Sequence, residues 1–122
     1  MYYDFRNGYL IEIGTAANYT MVVIQITGNS YYNDTIPINS LYQFYDYESN
    51  DTILNCTGVS LGYDLGPLKV YRWNKKLYAH INQKYNYESL SFTILSNHSE
   101  LSPKVTDAPA HNEAECTDIK LI

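Results

Sequence analysis

The stretch Leu68-Lys69-Val70-Tyr71-Arg72-Trp73-Asn74-Lys75-Lys76-Leu77-Tyr78-Ala79-His80-Ile81-Asn82-Gln83 decides the fold. With Asn74 and Lys75 as a two-residue turn, it closes into a β-hairpin in which Trp73 faces Lys76, Tyr71 faces Tyr78 and Lys69 faces His80. On the other side Val70 meets Ala79 and Leu68 meets Ile81. One face is therefore aliphatic and the other aromatic and basic. The aliphatic face has to be covered, which calls for a second sheet. The aromatic face can stay open, and function is sought there first.

Outward from the hairpin, short apolar segments alternate with polar turns. Tyr9 to Ile13 reads as a strand ended by Gly14. Thr20 to Thr27 is the strongest strand, and its near-continuous apolar run predicts cover on both faces. Gly28 to Asp34 reads as a loop, Leu41 to Tyr47 and Thr52 to Thr57 as strands, and the glycine-rich Gly58 to Pro67 as a loop. In Leu41 to Tyr47, Tyr42, Phe44, Tyr45 and Tyr47 can serve both faces. In Glu88 to Leu95, the residues Leu90, Phe92 and Ile94 point to the core, and Ser91 and Thr93 away from it. The segment from Asn97 to Glu115 reads as ordered loop with one short strand at Lys104 to Thr106, and Thr117 to Leu121 is the last strand. About eight strands without a helical period make residues 1–122 one all-β domain, an antiparallel β-sandwich.

Composition narrows the function. The 122 residues include 14 Tyr, 3 Phe and 1 Trp, with 8 basic and 13 acidic residues and a formal net charge of -5. No basic stripe offers a grip on nucleic acid or an anionic membrane, and no apolar run approaches the length of a membrane span. The first residues lack the apolar stretch of a signal peptide. Cys56 and Cys116 allow one bridge or two free, partly buried thiols; two cysteines in a domain of this size are not a disulfide framework. Asn-x-Ser/Thr sequons stand at Asn18, Asn33, Asn50, Asn55 and Asn97, against about two expected by chance. Asn, Ser and Thr also gather in turns for backbone reasons, which makes sequons without any glycan.

Three local patterns bear on chemistry. Gly58-Val59-Ser60-Leu61-Gly62 fits the nucleophile-elbow motif, but that motif needs a strand-to-helix turn, and no helix follows. Asp46, Glu48, Asn50 and Asp51 bunch oxygen ligands without the glycine and glutamate of a calcium loop, so a solvated turn is expected. His80, His98 and His111 lack the spacing of a zinc site, and neither metal nor cofactor is expected. That leaves the outer hairpin face, Tyr71, Trp73, Tyr78 and His80 with Lys69 and Lys76, as the ligand-binding candidate. Aromatic rings stack on the C–H faces of sugars and polar neighbours fix hydroxyls, although a subunit interface uses the same residues. Replacing Trp73 or Tyr78 by Ala is expected to spare the fold and abolish binding.

The order of elements resembles the C-terminal receptor-binding domains of bacteriophage tail fibres and related virion fibres. The matching features are the opening strand to Ile13, Met21 to Gly28, the tyrosine-rich end of Leu41 to Tyr47, the Leu68 to Ile81 hairpin and Ser89 to Leu95. The ending, Lys104-Val105-Thr106-Asp107-Ala108-Pro109 followed by Cys116-Thr117-Asp118-Ile119-Lys120-Leu121, carries most of the likeness. Asn74-Lys75 stands where such hairpins usually have Asn-Gly. The resemblance implies a homotrimeric, non-enzymatic fibre tip on a virion, binding a bacterial surface glycan or protein; no binding residues carry over. The alternative is a secreted or viral immunoglobulin-like glycoprotein domain that binds a host protein, drawing on the sequons and a Cys56–Cys116 bridge. A small esterase using Ser60 is the third possibility.

Overall fold

The structure, a computed structural model, describes residues 1–16, 19–31, 33–47, 52–84, 87–97 and 103–122. Among the described residues nine strands run in order: β1 (Tyr9–Thr15), β2 (Thr20–Tyr31), β3 (Thr35–Tyr47), β4 (Thr52–Gly62), β5 (Lys69–Trp73), β6 (Lys76–Ile81), β7 (Ser89–Ser96), β8 (Lys104–Thr106) and β9 (Thr117–Leu121). They form two antiparallel sheets, β8-β1-β6-β5-β9 and β4-β3-β2-β7. The fold is a β-sandwich, as the alternation of the sequence implies.

The hairpin has the expected register, with Lys69 opposite His80, Tyr71 opposite Tyr78 and Trp73 opposite Lys76. Asn74 (φ 50°) and Lys75 (φ 62°) both lie in the left-handed region, as a two-residue turn compatible with strand twist requires. The inward row Val70, Leu77, Ala79 and Ile81 meets Val22, Ile24, Ile26 and Phe44 of the facing sheet in one continuous core. Leu90 is fully buried there, and Phe92 and Ile94 pack against it.

The second sheet departs from the sequence reading in three places. β2 and β3 form a hairpin of two long strands paired from Thr20–Asp46 to Tyr31–Thr35, so most of the expected loop from Gly28 is strand. Gly28 does not end the strand; its missing side chain lets the β7 backbone come close. β4 runs on to Gly62, taking half of the other glycine-rich loop. β2 is covered on one face only: Val22, Ile24 and Ile26 are buried while Met21 is 56% exposed. An apolar run gives no face by itself, and here the first outward positions, Met21 and Val23, are apolar too.

A charged pair joins the sheets through the core. Arg72 of β5 and Asp46 of β3 are both buried, and Arg72 Nε donates to Asp46 Oδ1 at 2.8 Å. A second buried polar link, Tyr9 OH to Glu88 Oε2 at 2.7 Å, ties β1 to the residue before β7. Burial and the neighbouring Glu88 carboxylate both raise the Tyr9 pKa.

Candidate functional site

All six hairpin residues lie on one face, but that face is not open. β8 and β9 occupy opposite edges of their sheet, four strand spacings or ~19 Å apart. Residues 107–116 have to cross the sheet to join them, and they do so over the aromatic row. The strap seats Ala108, Ala110 and Cys116 on Leu10, Tyr71 and Tyr78, and its short turn Glu113–Glu115 is capped by Asn112.

The rings under this strap interlock. Tyr71 and Tyr78 stack at 5.7 Å, and His111 stacks on Trp73 at 4.1 Å. The Tyr71 hydroxyl sits 2.7 Å from His111 Nδ1 and accepts from the His111 backbone N–H at 3.1 Å. Burial pushes the Tyr71 phenol up to about 12, with that backbone N–H working against it. Trp73 Nε1 donates to Glu115 Oε2 at 3.4 Å, and Lys69 pairs with Glu113 at 2.6 Å. Lys76 and the Tyr78 hydroxyl both donate to Glu12 Oε1, at 3.1 and 3.2 Å. Tyr71, Tyr78 and His80 are therefore buried structural residues, and only Trp73, Lys69 and Lys76 keep appreciable exposure. Tyr78→Ala would strip the packing under the strap, contrary to the expectation that the fold would be spared. The sequence could not show this, because the strap reads as polar loop and its destination depends on the strand order.

His80 lies under the same cover. The backbone passes so close at Gly8 (φ +97°) that a Cβ there would stand 2.7 Å from His80 Nε2. Burial, helped by Lys69 on the neighbouring strand, lowers the imidazole pKa, against the pull of backbone contacts at Ala108 and Asn7. A neutral folded imidazole contributes stability that is present above the unfolded pKa of about 6.5 and is lost as pH falls through the lower folded value. The melting temperature is therefore expected to drop as pH falls below about 6.5, and His80→Gln should flatten that slope. Equal slopes in the two proteins would exclude His80 as the cause.

The other chemical motifs take structural roles. Gly58–Gly62 lies within β4, so Ser60 stands in a strand with its hydroxyl 2.8 Å from that of Ser40, and the elbow geometry is not formed. Asp46 faces Arg72 in the core and not a calcium loop; Glu48, Asn50 and Asp51 lie outside the described residues, as do His98 and the sequon residue Asn18. Among the described residues no group of three or more His, Cys, Asp or Glu is placed to hold a metal ion. Cys56 and Cys116 are free thiols; Cys56 packs against the main core and Cys116 against the outer aromatic cluster. The bridge of the immunoglobulin-like alternative is thus not formed. No helix of the described residues is long and apolar enough to cross a membrane.

The accessible aromatic group is on the other sheet. Along β3, Tyr42 and Phe44 point inward while Tyr45 and Tyr47 point out, 6.2 Å apart and within 25° of parallel. Tyr19, 54% exposed, packs on both at 6.4 and 5.3 Å, and a hydrogen bond with Tyr47 raises its phenol pKa. Asn97 fixes Tyr19 in place: its Nδ2 donates to the Tyr19 carbonyl and its Oδ1 accepts from the Met21 N–H, both at 2.8 Å. Met21 and Leu54 flank Tyr45 on the neighbouring strands. The alternation of Phe44, Tyr45, Asp46 and Tyr47 held this signal, once Asp46 is known to point inward.

Charge separates the two sheets. β2, β4 and β7 contain no charged residue and β3 contains only the buried Asp46, whereas the shorter strands of the other sheet carry seven charges. The outward face of the four-stranded sheet is therefore uncharged, and it exposes Leu41, Val59, Leu61 and Leu95 beside the tyrosines. Compared with protein-family models, curated proteins and solved structures, the chain matches none of them.

Proposed function

We propose that this domain is a non-enzymatic recognition module that holds a glycan or protein on a bacterial surface, as the tip of a phage fibre in the setting the sequence resemblance implies. The observation that supports it is the Tyr19–Tyr45–Tyr47 platform, three rings in mutual contact on an exposed, uncharged sheet face. Such rings offer flat apolar area for the C–H face of a sugar, with phenol hydroxyls at the rim for its polar groups. A single platform of this kind binds weakly, and several copies on one particle supply the avidity.

Tyr19→Ala and Tyr47→Ala test the reading by whole-cell adsorption and glycan binding. Each variant is expected to keep its melting temperature within a few degrees and to weaken binding roughly threefold to tenfold, the loss of about 0.5–1.5 kcal/mol of ring contact. Unchanged adsorption in both would remove the platform from the contact. Trp73→Ala is the discriminating partner, because Trp73 is the most accessible ring of the hairpin face. If it alone abolishes adsorption, recognition belongs to the hairpin end.

A further inference from the structure

We infer that the uncharged outward face of β4-β3-β2-β7 packs against the same face of a second copy of this chain, giving a two-fold dimer. The inference is separate from recognition: the contact runs over the rows from Leu95, Val23 and Gln43 to Thr27, Asn39 and Leu61, and the tyrosine platform lies beyond them at the Met21–Tyr45–Leu54 end of the sheet. Three observations carry it.

The first is charge. A formal net charge of -5 sets two copies to repel each other wherever charged surfaces meet. This sheet has no charged side chain on its outer face, so two copies meeting through it keep their charges apart. A partner of opposite charge would gain nothing by choosing this side. The outward row also mixes apolar groups with amides and hydroxyls such as Gln25, Asn39, Gln43 and Thr93, each able both to donate and to accept. Such groups can pair with their own copies across a two-fold axis.

The second is apolar exposure. Val59, Leu61 and Leu95 are 59%, 69% and 61% exposed, and together with Leu41 they spread from β7 to β4. Beside Leu41, Gln43, Thr57 and Val59 there is a shallow hollow of about 160 Å³, sized for an aliphatic side chain of the facing copy. The third is area. Four strands of eight or more residues span roughly 20 by 30 Å, about 600 Å² before side-chain relief is counted. Stable interfaces bury about 600–1,000 Å² per partner, so the face reaches that range. A flat face that meets itself closes as a pair, whereas the trimer implied by the resemblance needs two different surfaces on each subunit.

The test is solution mass by light scattering on the whole chain, wild type against Val59→Glu and Leu95→Glu. Both residues are exposed, so both variants should keep the wild-type circular dichroism and melting profile. The wild type is expected at twice the 14.1 kDa chain mass and the variants at the single-chain mass. A monomeric wild type at every concentration, a trimer, or a dimer indifferent to both substitutions would overturn the inference. The last outcome would point to pairing along an exposed edge strand, β4 or β7. Tyr19→Ala should leave the mass unchanged, which separates self-association from recognition.

Discussion

Asp46→Ala is expected to destabilise the domain by about 3–5 kcal/mol, most of what a chain of this size has to lose. Asp46 is wholly buried and Arg72 is 4% exposed, and the two come from different sheets. Removing the carboxylate takes a hydrogen-bonded counter-charge away from a guanidinium that is buried in the sandwich and cannot shed its proton to escape. Urea unfolding followed by circular dichroism reads the effect directly. The sharper comparison is the double variant Asp46→Leu/Arg72→Met, which removes both charges and restores apolar contact. It is expected to recover most of the lost stability, because desolvating two charges offsets much of their attraction. A single variant within 1 kcal/mol of wild type, by the same scale, would show that Arg72 finds other compensation.

Gly28→Ala should be at least as damaging although it adds one methyl group. Gly28 has φ +149° and pairs with Ile38 on β3 and Leu90 on β7, so both edges of β2 are engaged there. A Cβ at this position would stand 1.9 Å from the backbone oxygen of Ser89 and 2.9 Å from its carbonyl carbon. Backbone cannot swing aside as a side chain can, so β7 would have to separate from β2. β7 is also held from its other side, where Tyr3 exchanges backbone hydrogen bonds with Leu90 at 2.7 and 2.9 Å. A loss above about 4 kcal/mol, or failure to fold, is expected. Gly66→Ala is the control, since Gly66 has φ +94° and nothing within 4 Å of the added atom, so only backbone strain of about 1 kcal/mol applies. Similar losses at the two sites would mean that conformation matters and contact does not.

Nothing in the sequence around Gly28 marks the close approach of β7. A glycine after an apolar run is the common sign of a strand end, and the chain offers no local sign that another backbone lies against it. The same holds for Gly58 to Gly62, where the glycines sit within β4 and Gly58 leaves room for the Tyr42 ring.

What the sequence determined by itself is whatever a two-residue period determines. It placed the hairpin register, the inward rows Leu68, Val70, Ala79 and Ile81 and Leu90, Phe92 and Ile94, the short strand at Lys104–Thr106 and the closing strand Thr117–Leu121. These follow from alternation along one strand and its nearest neighbour, and the chain carries that information locally. The tertiary structure decided which faces remain accessible. The most aromatic face was covered because β8 and β9 lie at opposite edges of one sheet, which routes residues 107–116 across Tyr71 and Tyr78. The strongest apolar strand was left open on one side because nothing in the chain crosses the four-stranded sheet among the described residues. Strand order sets the path of a connecting segment, and no periodicity within a strand encodes strand order. The proposed recognition site is therefore Tyr19, Tyr45 and Tyr47, on the sheet that no strap of the described residues covers, and not the hairpin face.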